Sequence, residues 1–403
     1  MLIIGLIVTF SLILILVTRK VPIGMAVLFG GVILALFAGL RAPQIIKIIL
    51  LTFTQKGTQQ LILTVVLISI LSTMMQEYGI MDLMIKYLEK TFKSIKTLLF
   101  IIPSLLSTFT ASGAAIIAAP IIDGLGDRAG LSGPKKAAIN LYIRHAWYFM
   151  LPIAVNLINA SYISNIPIKQ LAFAQAPVSL ICLITGYLVY LHPLKNTLME
   201  NVAESENKEQ KEKPFLKAFL YTSPILLCVL LVFFIPSYLA LLAGCLLAYF
   251  IRQKNIPFAR IVLNKRGWPL IQAAAGVMIF KNFIENIPEL KLLLEQVINL
   301  GIPLEIVIII MTVLAGYVAA NLTVVTGLLY PLILPLVSPE QVLPTAALIY
   351  TLGYCSYFIS PIHLCQALTN EYFQVEMKDL YKEYKITVPV MFLASLFTYL
   401  LIR

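Results

Sequence analysis

The stretch TLLFIIPSLLSTFTASGAAIIAAPIIDGL, residues 97–125, is apolar at both ends and crowded with small and polar residues at its centre. Ser107, Thr108, Thr110, Ala111, Ser112, Gly113, Ala114 and Ala115 interrupt what would otherwise be one long span. Each flanking arm has roughly 13 residues and reaches about 20 Å as a helix, against about 30 Å of hydrocarbon. The stretch therefore reads as a re-entrant hairpin that enters and leaves by one face, its tip buried in protein or lining a cavity. Residues 303–337 repeat the pattern, with a polar turn at Asn321-Leu322-Thr323.

Sixty per cent of the 403 residues are hydrophobic, 12% are charged, and mean hydropathy is +0.92. A soluble domain is about a quarter charged, so the composition describes an all-α polytopic membrane protein. The N-terminus lacks the basic start and cleavage site of a signal peptide, so residues 2–18 are expected to stay as a helix. Cys182, Cys228, Cys245, Cys355 and Cys365 lie in apolar segments with no Cys-x-x-Cys pair. They read as small buried hydrophobes rather than disulfides or a metal site. The net charge of +11 would fit nucleic-acid binding in a soluble chain. Here the cations fall on loops between spans, and no nucleic-acid partner is expected.

The chain also reads twice. Lys56-Gly57 recurs as Arg266-Gly267, Pro120 as Pro331 and Pro152 as Pro361, at offsets of 210, 211 and 209 residues. Pro22 and Pro43 match Pro236 and Pro257 at an offset of 214. Spans are expected at 2–18, 22–40, 58–77, 134–165 and 171–191, then at 215–233, 236–251, 268–285, 342–373 and 386–402. Segments 41–56 and 79–95 have the charge spacing of amphipathic surface helices. Residues 195–214 are the only long hydrophilic run, so 1–194 and 215–403 are the two repeats.

With hairpins that do not cross, each half crosses five times, about ten transmembrane helices in all. An odd number inverts the second repeat relative to the first. Charge placement is an independent test: 22 Lys and Arg fall on one face and 6 on the other, with Arg144 and Lys281 inside spans. The rich face is cytoplasmic by the positive-inside rule, which puts both termini outside the cell inner membrane and the 195–214 linker inside.

Candidate ligand-facing residues gather at the hairpin tips and at two proline-broken spans. Thr108, Thr110, Ser112 and Gly113 at one tip, and Asn321, Thr323 and Thr326 at the other, offer hydroxyls, amides and helix N-termini suited to an anion. The spans 134–165 and 342–373 exceed the roughly 20 residues needed to cross, leaving room for unwound middles. The first break is at Pro152, with Asn156 and Asn159 beyond it; the second is Ser360-Pro361-Ile362-His363. Arg144 lies roughly 13 Å along its helix from Lys135 and Lys136, near the midplane. It either faces an anion, pairs with a hairpin-base aspartate (Asp123 or Asp127), or snorkels to the cytoplasmic edge. His145 and His363 have the chemistry to take up and release a proton. Lys281 receives no role, and the Tyr350, Tyr354, Tyr357 stripe reads as packing.

Two inverted five-span units, each with a hairpin followed by a broken helix, resemble the ion-transporter superfamily. It includes dicarboxylate/sodium symporters, citrate, gluconate and C4-dicarboxylate permeases, and arsenite exporters. The run Ser360-Pro361-Ile362-His363-Leu364-Cys365, with Tyr372-Phe373 after it, is most similar to an uncharacterised integral-membrane family within that group. In dicarboxylate members, Ser-Asn-Thr triplets at the tips hold substrate carboxylate and frame Na⁺ sites. Thr110-Ala111-Ser112 and Asn321-Leu322-Thr323 match these in part. The resemblance implies a homodimeric elevator, with 1–95 and 215–300 as scaffold and 96–191 and 301–403 as the moving part.

The expected function is therefore secondary active transport of a small anion, a carboxylate, coupled to Na⁺ or H⁺. Substrate is assigned to Thr110, Ser112, Gly113, Asn156, Asn321, Thr323, Ser360, His363 and Arg144. The coupling ion is assigned to Thr108, Thr326, Pro152, Pro361 and His145, with no cofactor or metal beyond a possible Na⁺. The alternatives are a passive anion channel on the same scaffold and an intramembrane enzyme using His145, His363 or Cys365, which no spacing supports. No ATP-binding or hydrolase motif occurs, so no enzyme activity is expected.

Overall fold

The computed structural model describes residues 2–109, 113–195, 213–264, 267–290 and 303–403. Thr110, Ser112 and most of the 195–214 linker thus lie outside the described residues. Every described element is helical. Among them, Lys56–Glu77, Ile168–Leu191 and Pro214–Leu231 are long and apolar enough to cross a bilayer as single helices, and seven further apolar helices are shorter. Large apolar side chains stand on the outer surface, with Phe215 68%, Phe234 77% and Phe250 79% exposed. In water each would forgo about 1.5–3 kcal/mol of burial; against lipid it forgoes nothing. The chain is an all-helical membrane protein.

The repeated landmarks fall on like elements. Pro22 and Pro236 precede the helices Ile23–Phe37 and Ser237–Phe250. Pro120 and Pro331 lie inside Gly113–Arg128 and Leu322–Ile333. Each of those is the second arm of a helix pair, the first arms being Ile95–Leu106 and Leu304–Ala319. Twelve to sixteen residues per arm give about 18–24 Å, less than the roughly 30 Å of hydrocarbon. In the second pair the turn is Ala320-Asn321. Ala320 takes a left-handed φ of +45°, and Asn321 caps the next helix by accepting the Val324 amide at 3.2 Å.

Pro152 and Pro361 mark two breaks. Gly133–Ala146 runs through a 3-10 turn at Trp147–Phe149 into non-helical backbone at 150–154, and Val155–Ser164 resumes. Val342–Phe358 likewise stops, and Leu364–Phe373 follows after 359–363. Proline donates no amide hydrogen and blocks the preceding turn, so both spans unwind at the predicted place.

The halves interlock. Ile23–Phe37 packs along Trp268–Glu285, Lys56–Glu77 on Ser237–Phe250, and Ile80–Thr91 on Pro214–Leu231. Elsewhere Ile168–Gly186 packs on Thr387–Ile402 and Leu304–Ala319 on Val342–Phe358. Leu322–Ile333 packs against both Val155–Ser164 and Trp268–Glu285.

At the base of the first pair, the Lys136 ammonium donates to Asp123 at 2.6 Å and also to Asp127. Its stem passes over Gly126, where an added Cβ would lie 2.8 Å from Lys136 Cγ. The aspartate side chains are 37% and 70% exposed, so they rehydrate if the lysine is lost. Lys136→Met is therefore expected to cost only about 1–2 kcal/mol. Adding Asp123→Asn should then cost little more, which thermal unfolding of the single and double variants checks.

Candidate functional site

The two breaks and the Ala320-Asn321 turn converge on one cavity of about 250 Å³. Its polar lining comes from four segments: Ser107 from the first helix pair, Asn156 and Asn159 beyond the first break, Asn321 and Thr323 from the second pair, and His363 and Cys365 at the second break. His145, Tyr148 and Tyr357 complete that side. The starts of Ile23–Phe37 and Trp268–Glu285 contribute only apolar residues to the lining, Ile23, Pro269, Leu270 and Ala273. A larger cavity of about 600 Å³, between Val66–Thr73 and Ile261–Ile271, is mostly apolar among its described lining residues. Its described residues carry no charged or imidazole group.

A short polar network ties the first broken span to the second pair. Asn159 Nδ2 donates to Thr323 Oγ1 at 3.1 Å, and Thr323 Oγ1 donates to Asn156 Oδ1 at 3.1 Å. Thr323 spends both roles within this chain of bonds, which holds the second tip against Val155–Ser164. The buried Asn159 Oδ1 has no protein partner among the described residues.

Behind the polar wall lies Arg144, 0% exposed, with Cys365, Tyr148, Tyr354 and Tyr357 as its electrostatic neighbours. None of its three guanidinium nitrogens has a partner among the described residues. Both hairpin-base aspartates are taken by Lys136, which removes the pairing alternative, and full burial removes snorkelling. A cation without a counter-charge in low dielectric costs several kcal/mol. The cavity beside it is correspondingly favourable to negative charge.

His145 and His363 meet at the same corner, ring centroids 5.1 Å apart. His145 Nδ1 lies 2.7 Å from the Leu141 carbonyl and His363 Nδ1 lies 3.3 Å from that of Phe358. A carbonyl only accepts, so each Nδ1 carries the proton and each Nε2 presents a lone pair. Both Nε2 atoms are buried, with the Cys365 thiol beside them and no other hydrogen-bond partner among the described residues.

Other sequence candidates sit elsewhere. The Ser360 hydroxyl donates to the Tyr317 carbonyl at 2.6 Å, and Thr326 donates to Leu322 O at 3.1 Å within its own helix. Thr108 donates to Leu105 O at 2.7 Å. Gly113 opens the second arm of the first pair, Pro152 is buried in its break, and Pro361 is exposed. Lys281 is buried and meets Tyr162 O and Asn165 Oδ1, both at 3.5 Å. Tyr350 and Tyr354 stack as packing residues, whereas Tyr357 turns to the cavity. Cys365 is no inert core thiol, because it lies against two imidazoles. The pattern His363-x-Cys365 was the available signal, masked by its apolar setting.

No curated protein matches the chain. A family model described as a protein of unknown function (DUF401) covers residues 3–402, nearly the whole chain, and the protein belongs to that family.

Proposed function

We propose that the protein is a secondary active transporter of a small carboxylate-type anion, driven by a Na⁺ or H⁺ gradient. The observation that carries this reading is one cavity where the second hairpin tip and both helix breaks converge, its lining residues Tyr148, Tyr357 and Cys365 adjoining Arg144, whose guanidinium has no hydrogen-bond partner among the described residues. Backbone unwound at membrane depth is tolerated where it lines a cavity, and paired broken helices are the usual form of a transporter site.

In this reading the halves are inverted repeats of five spans each, oriented by the 22-to-6 charge split with both termini outside and the linker in the cytoplasm. Ile23, Pro269, Leu270 and Ala273 belong to a fixed scaffold and form a smooth apolar wall. The polar side of the cavity moves past that wall as an elevator, in a protein that works as a homodimer of the inner membrane. Thr110 and Ser112, outside the described residues, are assigned to substrate on the sequence pattern alone. The partial likeness of the two tips to those of dicarboxylate symporters, within the ion-transporter superfamily, supports a carboxylate.

Reconstituted protein should accumulate a labelled carboxylate above its outside concentration when a Na⁺ or pH gradient is imposed. Passive equilibration without accumulation would instead identify a channel. Thr323→Val removes the hydroxyl shared by Asn156 and Asn159 at nearly constant volume, and should lower the uptake rate about 10- to 100-fold. Unchanged uptake by a folded Thr323→Val protein would refute the tip assignment.

A further inference from the structure

We propose that His145, His363 and Cys365 form a binding site for one divalent transition-metal ion of the Zn²⁺ class. Each residue brings one ligand atom, and the three atoms all lie within 4.8 Å of one another. In a tetrahedral site with metal–nitrogen bonds of about 2.0 Å and metal–sulfur bonds of about 2.3 Å, ligand atoms sit roughly 3.5 Å apart. The three side chains therefore draw together by up to about 1.3 Å when they close on an ion.

Tautomer and support are already set. The Nδ1 contacts to Leu141 and Phe358 orient each ring and leave each Nε2 lone pair free, the outer arrangement that metal-binding histidines show. His145 is 0% and His363 1% exposed, and neither Nε2 has another partner among the described residues. Two imidazoles and a thiolate are a borderline-soft set that selects Zn²⁺ or Co²⁺ and rejects Na⁺, Mg²⁺ and Ca²⁺. The site is therefore distinct from any alkali-ion coupling site.

Binding replaces the Cys365 S–H bond with an S–metal bond, and the proton leaves through the cavity to solvent. The thiolate also supplies negative charge beside Arg144. Three protein ligands leave one coordination position open. All three residues line the same cavity as Asn156, Asn159 and Thr323. The remaining positive charge of metal plus arginine then draws an anion to the open position. Since His145 ends one half of the first broken span and His363 begins the second half of the other, the ion also joins the two breaks.

The test needs no transport assay, so its failure and failure of the transport reading are separate results. Full-length protein stripped with a chelator is titrated with Co²⁺ in detergent. One Co²⁺ per chain should bind, with intense tetrahedral visible bands and a near-ultraviolet thiolate-to-cobalt band. Zn²⁺ should displace it. Cys365→Ser should lose the thiolate band, and His363→Gln should bind at least about 10-fold more weakly, while Cys355→Ser behaves as wild type.

Absence of the band in wild type, or its persistence in Cys365→Ser, overturns the proposal. If Cys365→Ser does not fold, wild-type protein decides: Zn²⁺ should slow maleimide labelling of Cys365, read by mass spectrometry. An unchanged labelling rate overturns the site.

Discussion

Arg144→Gln is expected to lower anion uptake about 100-fold or more while leaving the empty protein at least as stable as wild type. The two effects share one cause. The guanidinium is fully buried, its three nitrogens have no partner among the described residues, and Asp123 and Asp127 are held by Lys136. Without ligand the charge is a net cost of several kcal/mol. With an anion in the cavity it becomes one half of a low-dielectric charge pair, whose loss costs about 3–5 kcal/mol.

A structural arginine behaves in the opposite way, because removing one partner of a satisfied pair lowers stability. Thermal unfolding with and without substrate anion therefore separates the readings. Wild type should be stabilised by the anion; Arg144→Gln should start equal or higher and gain nothing. Arg144→Lys keeps the charge without the planar fork and should fall between them in uptake. Uptake by Arg144→Gln within about twofold of wild type, or a marked loss of stability without ligand, would remove Arg144 from the site.

Helices, the turn at Ala320-Asn321 and the two breaks are legible in this sequence because the bilayer punishes exceptions. Pro152 and Pro361 stand out where a span ought to be uninterrupted, and backbone is non-helical at 150–154 and 359–363. Asn156, Asn321, Thr323 and the two histidines stand out for the same reason, as polar side chains in apolar surroundings. Tyr357 and Cys365 do not. Tyr357 shares a helical stripe with Tyr350 and Tyr354, which do pack; it differs only because its helix ends at Phe358 and the cavity begins. Cys365 resembles four buried cysteines by local sequence, and only tertiary packing brings His145 to it across more than 200 residues. The apolar wall is equally silent in sequence, since Ile23, Leu270 and Ala273 differ in nothing from residues that face lipid.

Gly276→Leu is expected to prevent folding, and Gly276→Ala to cost about 3 kcal/mol or more. Ile23–Phe37 and Trp268–Glu285 approach each other through glycine on both sides. A Cβ at Gly276 would lie 2.3 Å from Gly24 O and 2.7 Å from Gly24 Cα, and one at Gly24 would lie 2.0 Å from Gln272 O. These obstacles are backbone, so no rotamer change relieves them and the helices must separate. The contact continues at Gly31, where a Cβ would meet Phe283 at 2.8 Å, a side chain that can yield. Gly31→Ala should therefore cost less than Gly276→Ala. Gly57 has open space around it, and Gly57→Ala should be neutral or gain about 0.5–1 kcal/mol from helix propensity. Both crossing helices also carry the apolar wall of the cavity, so Gly276→Ala should slow uptake more than its stability loss alone explains. Thermal unfolding and monodispersity of the three alanine variants give the ranking. If Gly276→Ala is as stable as Gly57→Ala, close backbone packing at this crossing is not what holds the two halves together.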